Sequence, residues 1–250
     1  MLRILVIGCL GLLLGCSEKK IGPSYAQEIV DSSIAISGGD LYRTSRISFD
    51  FRNQRYVMER NGKQKVLMRI METDTGIIRD MRYTKKFKRF VNDSLVVLSD
   101  SLSHILANAI NSVHYFAYLP YGLNDPAVNK EYLGNATIAG QHYHKIRVTF
   151  DEEGGGDDHD DTFVYWFHTQ TLKPEYLAYS FHVNGGGIRF RKAYNERYIN
   201  GIRFVDYLNY EPLEKGKALE RMDGLFETGG LRLLSRIAID NIKVSPGSYN

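Results

Sequence analysis

With 250 residues, 43% of them hydrophobic, the chain can bury one core of ordinary domain size. Its 32 basic and 29 acidic residues nearly cancel to a net charge of +3, and no dense basic arm is present, which excludes nucleic acid as an expected partner. The only two cysteines, Cys9 and Cys16, both lie near the N-terminus.

The chain opens with one basic residue, Arg3, and an apolar run over residues 4–14. That layout is a secretory signal, and it falls short of the ~20 apolar residues that span a bilayer. Leu13-Leu14-Gly15-Cys16 resembles the lipobox of bacterial lipoproteins. The resemblance implies that residues 1–15 are a signal peptide, that Cys16 is acylated, and that residues 16–24 tether a domain of residues 25–250 to the membrane. Each buried methylene contributes ~0.8 kcal/mol, so several acyl chains anchor the chain durably. Cys9 would leave with the signal, and the mature chain would hold one lipid-blocked cysteine. Disulfides, Cys-ligated zinc and a cysteine nucleophile then drop out together. The alternatives are a plain signal peptide with an incidental cysteine, or a cytosolic start.

Residues 25–36 place Ile29, Ile34 and Ile36 at helical spacing, with Ser24 as N-cap and Gly38-Gly39 as the stop. From residue 41 the period becomes two. Residues 42–51, 55–60, 65–72 and 77–83 read as strands, with a tight turn at Asn61-Gly62. Residues 100–118 form the strongest helix, with Leu102, Ile105, Leu106, Ala109, Ile110 and Val113 as its stripe and Ser99 or Asp100 as its cap. A meander follows, with strands at 132–138, 142–150, 162–168, 175–183, 188–198 and 202–210. Residues 213–230 read equally as helix or loop, and residues 231–244 as one last strand. Many successive antiparallel strands with two helices make an α+β domain, and a sheet this long must curl or close. The 17 tyrosines and 12 phenylalanines suit half-buried strands. Phe163-Val164-Tyr165-Trp166-Phe167 is apolar on both faces, so that strand is covered twice, once by a helix and once by a ligand or a loop.

The order of lipobox, early helix, strands and second helix, followed by Tyr132-Leu133-Gly134, Ile138-Ala139-Gly140 and Tyr143-His144-Lys145-Ile146, resembles the LolA/LolB-like carriers. More closely the chain resembles an uncharacterised family of Gram-negative lipoproteins in that superfamily. The closer likeness rests on the segments from Phe116 to Asp125, Tyr176 to Phe181, Gly185 to Arg191 and Gly201 to Tyr207. It implies a strongly curved antiparallel sheet, an incomplete β-barrel covered on its concave side by helices, holding acyl chains. No ligand-contacting motif of the carriers matches position by position, so no residue roles are carried over. Ser17, next to the acylated cysteine, does not signal inner-membrane retention, which implies an outer-membrane address facing the periplasm.

Chemistry-bearing clusters are few. Residues 151–161 crowd seven carboxylates around Gly154-Gly155-Gly156. Such a loop suits Ca²⁺ by oxygen content but has neither EF-hand nor nonapeptide spacing, and like charges in a hairpin loop are ordinarily solvated. In an up-and-down meander this loop and Gly185-Gly186-Gly187 share a rim, which would bring Arg189 and Arg191 towards Asp157, Asp158, Asp160 or Asp161. His142 and His144 share a strand face, and a symmetric hairpin pairs residue 144 with His168, a geometry that could hold zinc. No nucleophile elbow or phosphate-cradling loop is present.

The expectation is a non-enzymatic, lipid-anchored envelope protein without cofactor or resident metal. It binds a lipid or other apolar ligand on some of Tyr143, Phe163, Tyr165, Trp166, Phe167, Tyr179, Phe181 and Phe190. The alternatives are a metal-dependent hydrolase using His142, His144 and His168, and a structural protein whose cavity its own side chains fill.

Overall fold

The computed structural model describes residues 23–62, 64–156, 159–182 and 185–247. Cys16, the signal, most of the tether, Asp157 and Asp158 lie outside them. The elements are α1 (Pro23–Ser37), α2 (Leu41–Thr44), β1 (Ser45–Phe51), β2 (Gln54–Asn61), β3 (Gln64–Thr73), β4 (Gly76–Arg82), β5 (Phe87–Val91), β6 (Ser94–Val96) and α3 (Asp100–Ala117). There follow β7 (Val128–Ile138), β8 (Gln141–Phe150), β9 (Phe163–His168), β10 (Pro174–Phe181), β11 (Gly187–Ile199), β12 (Ile202–Pro212), α4 (Met222–Glu227), β13 (Leu231–Ile237) and β14 (Asp240–Pro246).

The strands form two antiparallel seven-stranded sheets, where the sequence suggests one. Their orders are β14-β1-β2-β3-β4-β5-β6 and β13-β12-β11-β10-β9-β8-β7, and neither closes on itself. The single last strand expected over residues 231–244 is in fact two, broken at Ala238-Ile239. Its first half pairs with β12 and its second half with β1. An acidic side chain holds the break: Asp206 Oδ1 accepts from Ile239 N (3.1 Å) and from Arg197 Nη2 (2.9 Å), while Oδ2 accepts from Asn195 Nδ2 (2.6 Å). This chain crossing joins the two sheets.

Local chemistry explains most element ends. Gly38 and Gly39 have φ of 139° and 49°, values that stop α1 and that side-chain-bearing residues rarely adopt. Leu41–Thr44, of which residues 42–44 were expected as strand, form the single turn α2 because Asp40 O accepts from Thr44 N at 3.0 Å. Ser99 rather than Asp100 caps α3, its Oγ accepting from Leu102 N at 3.3 Å. Strands β5 and β6 were not expected, because Phe87-Lys88-Arg89-Phe90-Val91 lacks clean alternation. Their hairpin turns at Asn92 and Asp93, both at positive φ (48° and 64°).

A core takes side chains from both sheets and from α1 and α3: Ile47, Phe49 and Leu67, then Ile146, Tyr165 and Phe204, then Val30 and Ile110. The buried stripe of α1 is Ala26, Ile29, Val30, Ser33 and Ser37; of the expected set Ile29 is buried, Ile34 packs partly buried against the core, and Ile36 is exposed. In α3 burial begins only at Ile110, while Leu102 and Ile105 stay exposed. A second cluster occupies the opposite face of the β7–β13 sheet, where Leu219, Met222 and Phe226 of the α4 segment pack on Tyr143, Trp166, Tyr176 and Phe190. This is the second cover that the doubly apolar strand requires, and the chain itself supplies it.

Candidate functional site

A cavity of about 520 Å³ opens where the C-terminal half of α3 meets both sheets. One wall is Phe51 and Arg52 at the end of β1 with Arg82 at the end of β4. Asn108, Asn111, Ser112, Tyr115 and Phe116 of α3 form a second wall. The third is Phe150, Phe163, Tyr179, Phe181, Arg189 and Arg191 on β8 to β11, closed by Gly155, Gly156 and Asp161 of the acidic loop. Strand pairing sets the third wall. Tyr179 stands opposite both Phe163 and Arg189, so these three side chains share the face towards α3. The Phe163 ring stacks on Tyr179 with centroids 5.3 Å apart and meets Phe150 edge-on at 5.8 Å.

Beneath the cavity α3 is pinned by polar contacts. His114 Nε2 faces Met68 O at 3.2 Å, which accepts only, so Nε2 carries the proton and Nδ1 accepts from Tyr118 Oη at 3.0 Å. Burial pulls the His114 pKa down to about 3, and the charges of Lys65 and Arg82 push the same way. Tyr115 Oη meets Tyr165 Oη at 3.1 Å, and burial raises both phenols above their ordinary range. The hydroxyls therefore stay neutral.

The eight aromatic residues proposed from sequence divide into three groups. Phe163, Tyr179 and Phe181 line the cavity. Tyr165 and Phe167 lie on the same face but are completely buried in the shared core. Tyr143, Trp166 and Phe190 lie on the opposite face under the α4 segment, where Trp166 Nε1 donates to Asp223 Oδ2 at 3.1 Å and Tyr143 Oη to Glu175 Oε2 at 2.8 Å. The residue opposite His168 is Tyr143, and His144 pairs with Phe167. This corrects the expected pairing of residue 144 with His168. A one-residue offset moves a side chain to the other face, so His168 is separated from His142 and His144. His142 meets Thr137, His144 meets Asn135, and His168 accepts from the amides of Gln170 and Thr171. Among the described residues no group of three or more His, Cys, Asp or Glu is placed to hold a metal ion.

The acidic loop and β11 do share a rim. Arg189 there reaches Glu211 (3.5 Å), Arg191 donates to Tyr179 Oη (3.0 Å), and Asp161 faces His182 (3.5 Å). Sequence reasoning missed Phe51, Arg82, Phe116 and Ser112 as lining residues. Phe116 sits in a segment that carries the family resemblance. For Arg82 nothing in the sequence marks a strand-end arginine as facing inwards.

Several solved structures are similar in overall arrangement. A LolA superfamily protein from Nitrosomonas europaea is 11% identical, with 87% of this chain and 92% of that chain covered and a TM-score of 0.48. A DUF1329 family protein from Desulfovibrio piger is 10% identical over 87% and 92% of the two chains, with a TM-score of 0.49. No curated protein matches the chain by sequence. Residues 30–239 match the model of a family of unknown function, DUF6503, and these residues include every element from β1 to β13 and all the cavity walls. The chain belongs to that family.

Proposed function

We propose that this chain is a non-enzymatic, lipid-anchored lipoprotein of the cell envelope whose cavity takes a lipid or another apolar ligand. The observation that carries the reading is the cavity of about 520 Å³ walled by Phe51, Phe116, Phe150, Phe163, Tyr179 and Phe181. Its volume lies within the usual range for small-molecule sites, and burying apolar surface there contributes ~25 cal/mol per Å². Three of the segments that carry the family resemblance meet at it, through Phe116, through Tyr179 and Phe181, and through Arg189 and Arg191. In this reading the two sheets are halves of one strongly curved, incomplete barrel, with α1 and α3 on its concave side. Cys16 carries the lipid, and the domain faces the periplasm from the outer membrane.

The test plugs the cavity from α3. Ser112 lies on the exposed side of the helix and lines the cavity, so Ser112→Trp adds a ring there without disturbing the core. Mass spectrometry of organic extracts from purified protein should find co-purified lipid in the wild type and little or none in the variant, at unchanged Tm. Equal lipid in both, or none in the wild type, overturns the reading.

A further inference from the structure

Four guanidinium groups line the cavity, Arg52, Arg82, Arg189 and Arg191, against one carboxylate among the described lining residues, Asp161. A pocket for a purely apolar guest has no use for this excess. Two of the four are weakly compensated. Arg191 lays its guanidinium over the rings of Tyr179 (5.0 Å) and Phe116 (5.6 Å), and its Nε is buried without a hydrogen-bond partner. Stacking on both rings occupies the faces of the guanidinium; Nη2 donates to Tyr179 Oη at 3.0 Å, and the rest of the N–H edge is left for an anion. Arg82 enters the same cavity from the other sheet, half-buried at the end of β4. Burial holds its pKa below the ordinary arginine range, and the charge of Asp125 is the one influence acting against that. Lys65 stands two residues along β3 from Leu67, the partner of Arg82, and is lowered for the same reason, burial first. Arg189 already has Glu211, and Arg52 is exposed beside Phe51. A desolvated cation without a counter-ion is costly, and an anion entering the cavity would remove that cost.

We infer that the ligand is an acidic amphiphile: a carboxylate or phosphate on an alkyl chain, the head held by Arg82 and Arg191 and the tail laid on Phe51, Phe150 and Phe163. This rests on the apolar-ligand reading and adds a charge requirement to it. Free fatty acids and anionic phospholipids share this chemistry, and the test separates them.

The experiment is native mass spectrometry of the purified lipoprotein released from detergent. Palmitate is titrated against hexadecanol, and dipalmitoyl phosphatidylglycerol against dipalmitoyl phosphatidylcholine. Charge-assisted hydrogen bonds predict that at least one acidic ligand binds roughly tenfold or more tightly than its neutral counterpart. Selectivity confined to palmitate identifies a fatty acid, and selectivity confined to phosphatidylglycerol a phospholipid. Arg82→Gln and Arg191→Gln should each remove most of that preference while hexadecanol binding stays as in the wild type. Should Arg191→Gln lose hexadecanol as well, through misfolding, Arg82→Gln alone decides. Equal binding of charged and neutral ligands overturns the acid requirement and leaves the apolar-ligand reading standing. Binding of none of the four overturns both.

Discussion

His114 shows how one buried side chain sets a pH dependence for the whole protein. It is neutral, 2% exposed, and bonded at both ring nitrogens. The unfolded chain takes up a proton on this histidine near pH 6.5, whereas the folded protein resists until about pH 3. Between those values the unfolded state binds more protons, so stability falls as the pH drops. The contribution is fully present above pH 6.5 and is lost progressively on the way down to pH 3. Across the whole window the loss is on the order of 5 kcal/mol. His114→Gln does not titrate and can keep a bond to Met68 O. Its urea midpoint should therefore fall less than that of the wild type between pH 7 and pH 4. Parallel declines would show that other groups carry the acid sensitivity. Neither the burial nor the tautomer was legible in the sequence, where His114 is one of seven histidines in a helical stretch.

At the scale of elements, the α4 segment shows what a short helix contributes without stability of its own. Six residues cannot persist as an isolated helix, so α4 exists because it covers the outer face of β8 to β11. Asp223 anchors it by accepting from Trp166 Nε1 and pairing with Lys145 Nζ at 2.8 Å, and Arg147 holds Glu220 at 2.9 Å. Trp166 is the single tryptophan of the chain, so its emission reports on this cover directly. Asp223→Ala removes the acceptor from a buried indole N–H and from a nearly buried ammonium, a change worth about 1–3 kcal/mol. The expected result is a red-shifted, more quenchable emission and a lower Tm. An unchanged spectrum would mean that α4 does not seal this face. Residues 213–230 read equally as helix or loop because their pattern is too short to choose. Packing chose.

At the scale of the whole molecule, the crossing from β13 to β14 decides whether the sheets act together. Asp206 is 3% exposed and receives the Ile239 amide, Arg197 and Asn195, so its carboxylate is the point where the two sheets are tied. Asp206→Ala leaves the Ile239 amide without its acceptor and removes the counter-ion of Arg197, which keeps only the carbonyls of Asn195 and Ile239, a loss of about 3–5 kcal/mol. Urea unfolding should show that loss together with a broadened or two-step transition, since each sheet then unfolds with less dependence on the other. A sharp transition at the wild-type midpoint would remove the crossing from any structural role. Asp206 lies in the segment from Gly201 to Tyr207 that carries part of the family resemblance. There the likeness reports a fold-holding contact, whereas in the segment from Gly185 to Arg191 it reports two residues of the cavity wall.

Much of the architecture is local and therefore legible in the chain alone. Two-residue alternation marks most strands, glycines and asparagines at positive φ mark the turns, and helical spacing with a serine cap marks α3, because each follows from backbone sterics within a few residues. Register and partnership are not local. A one-residue offset between β8 and β9 separated the histidines. A break of two residues sent the last strand into both sheets, and helix packing divided the aromatic side chains between a cavity, a core and an outer face. The cavity itself is the product of these choices, since Arg82 and Arg191 belong to different sheets and share one space only because α3 and the crossing at Ile239 bring those sheets against a common core.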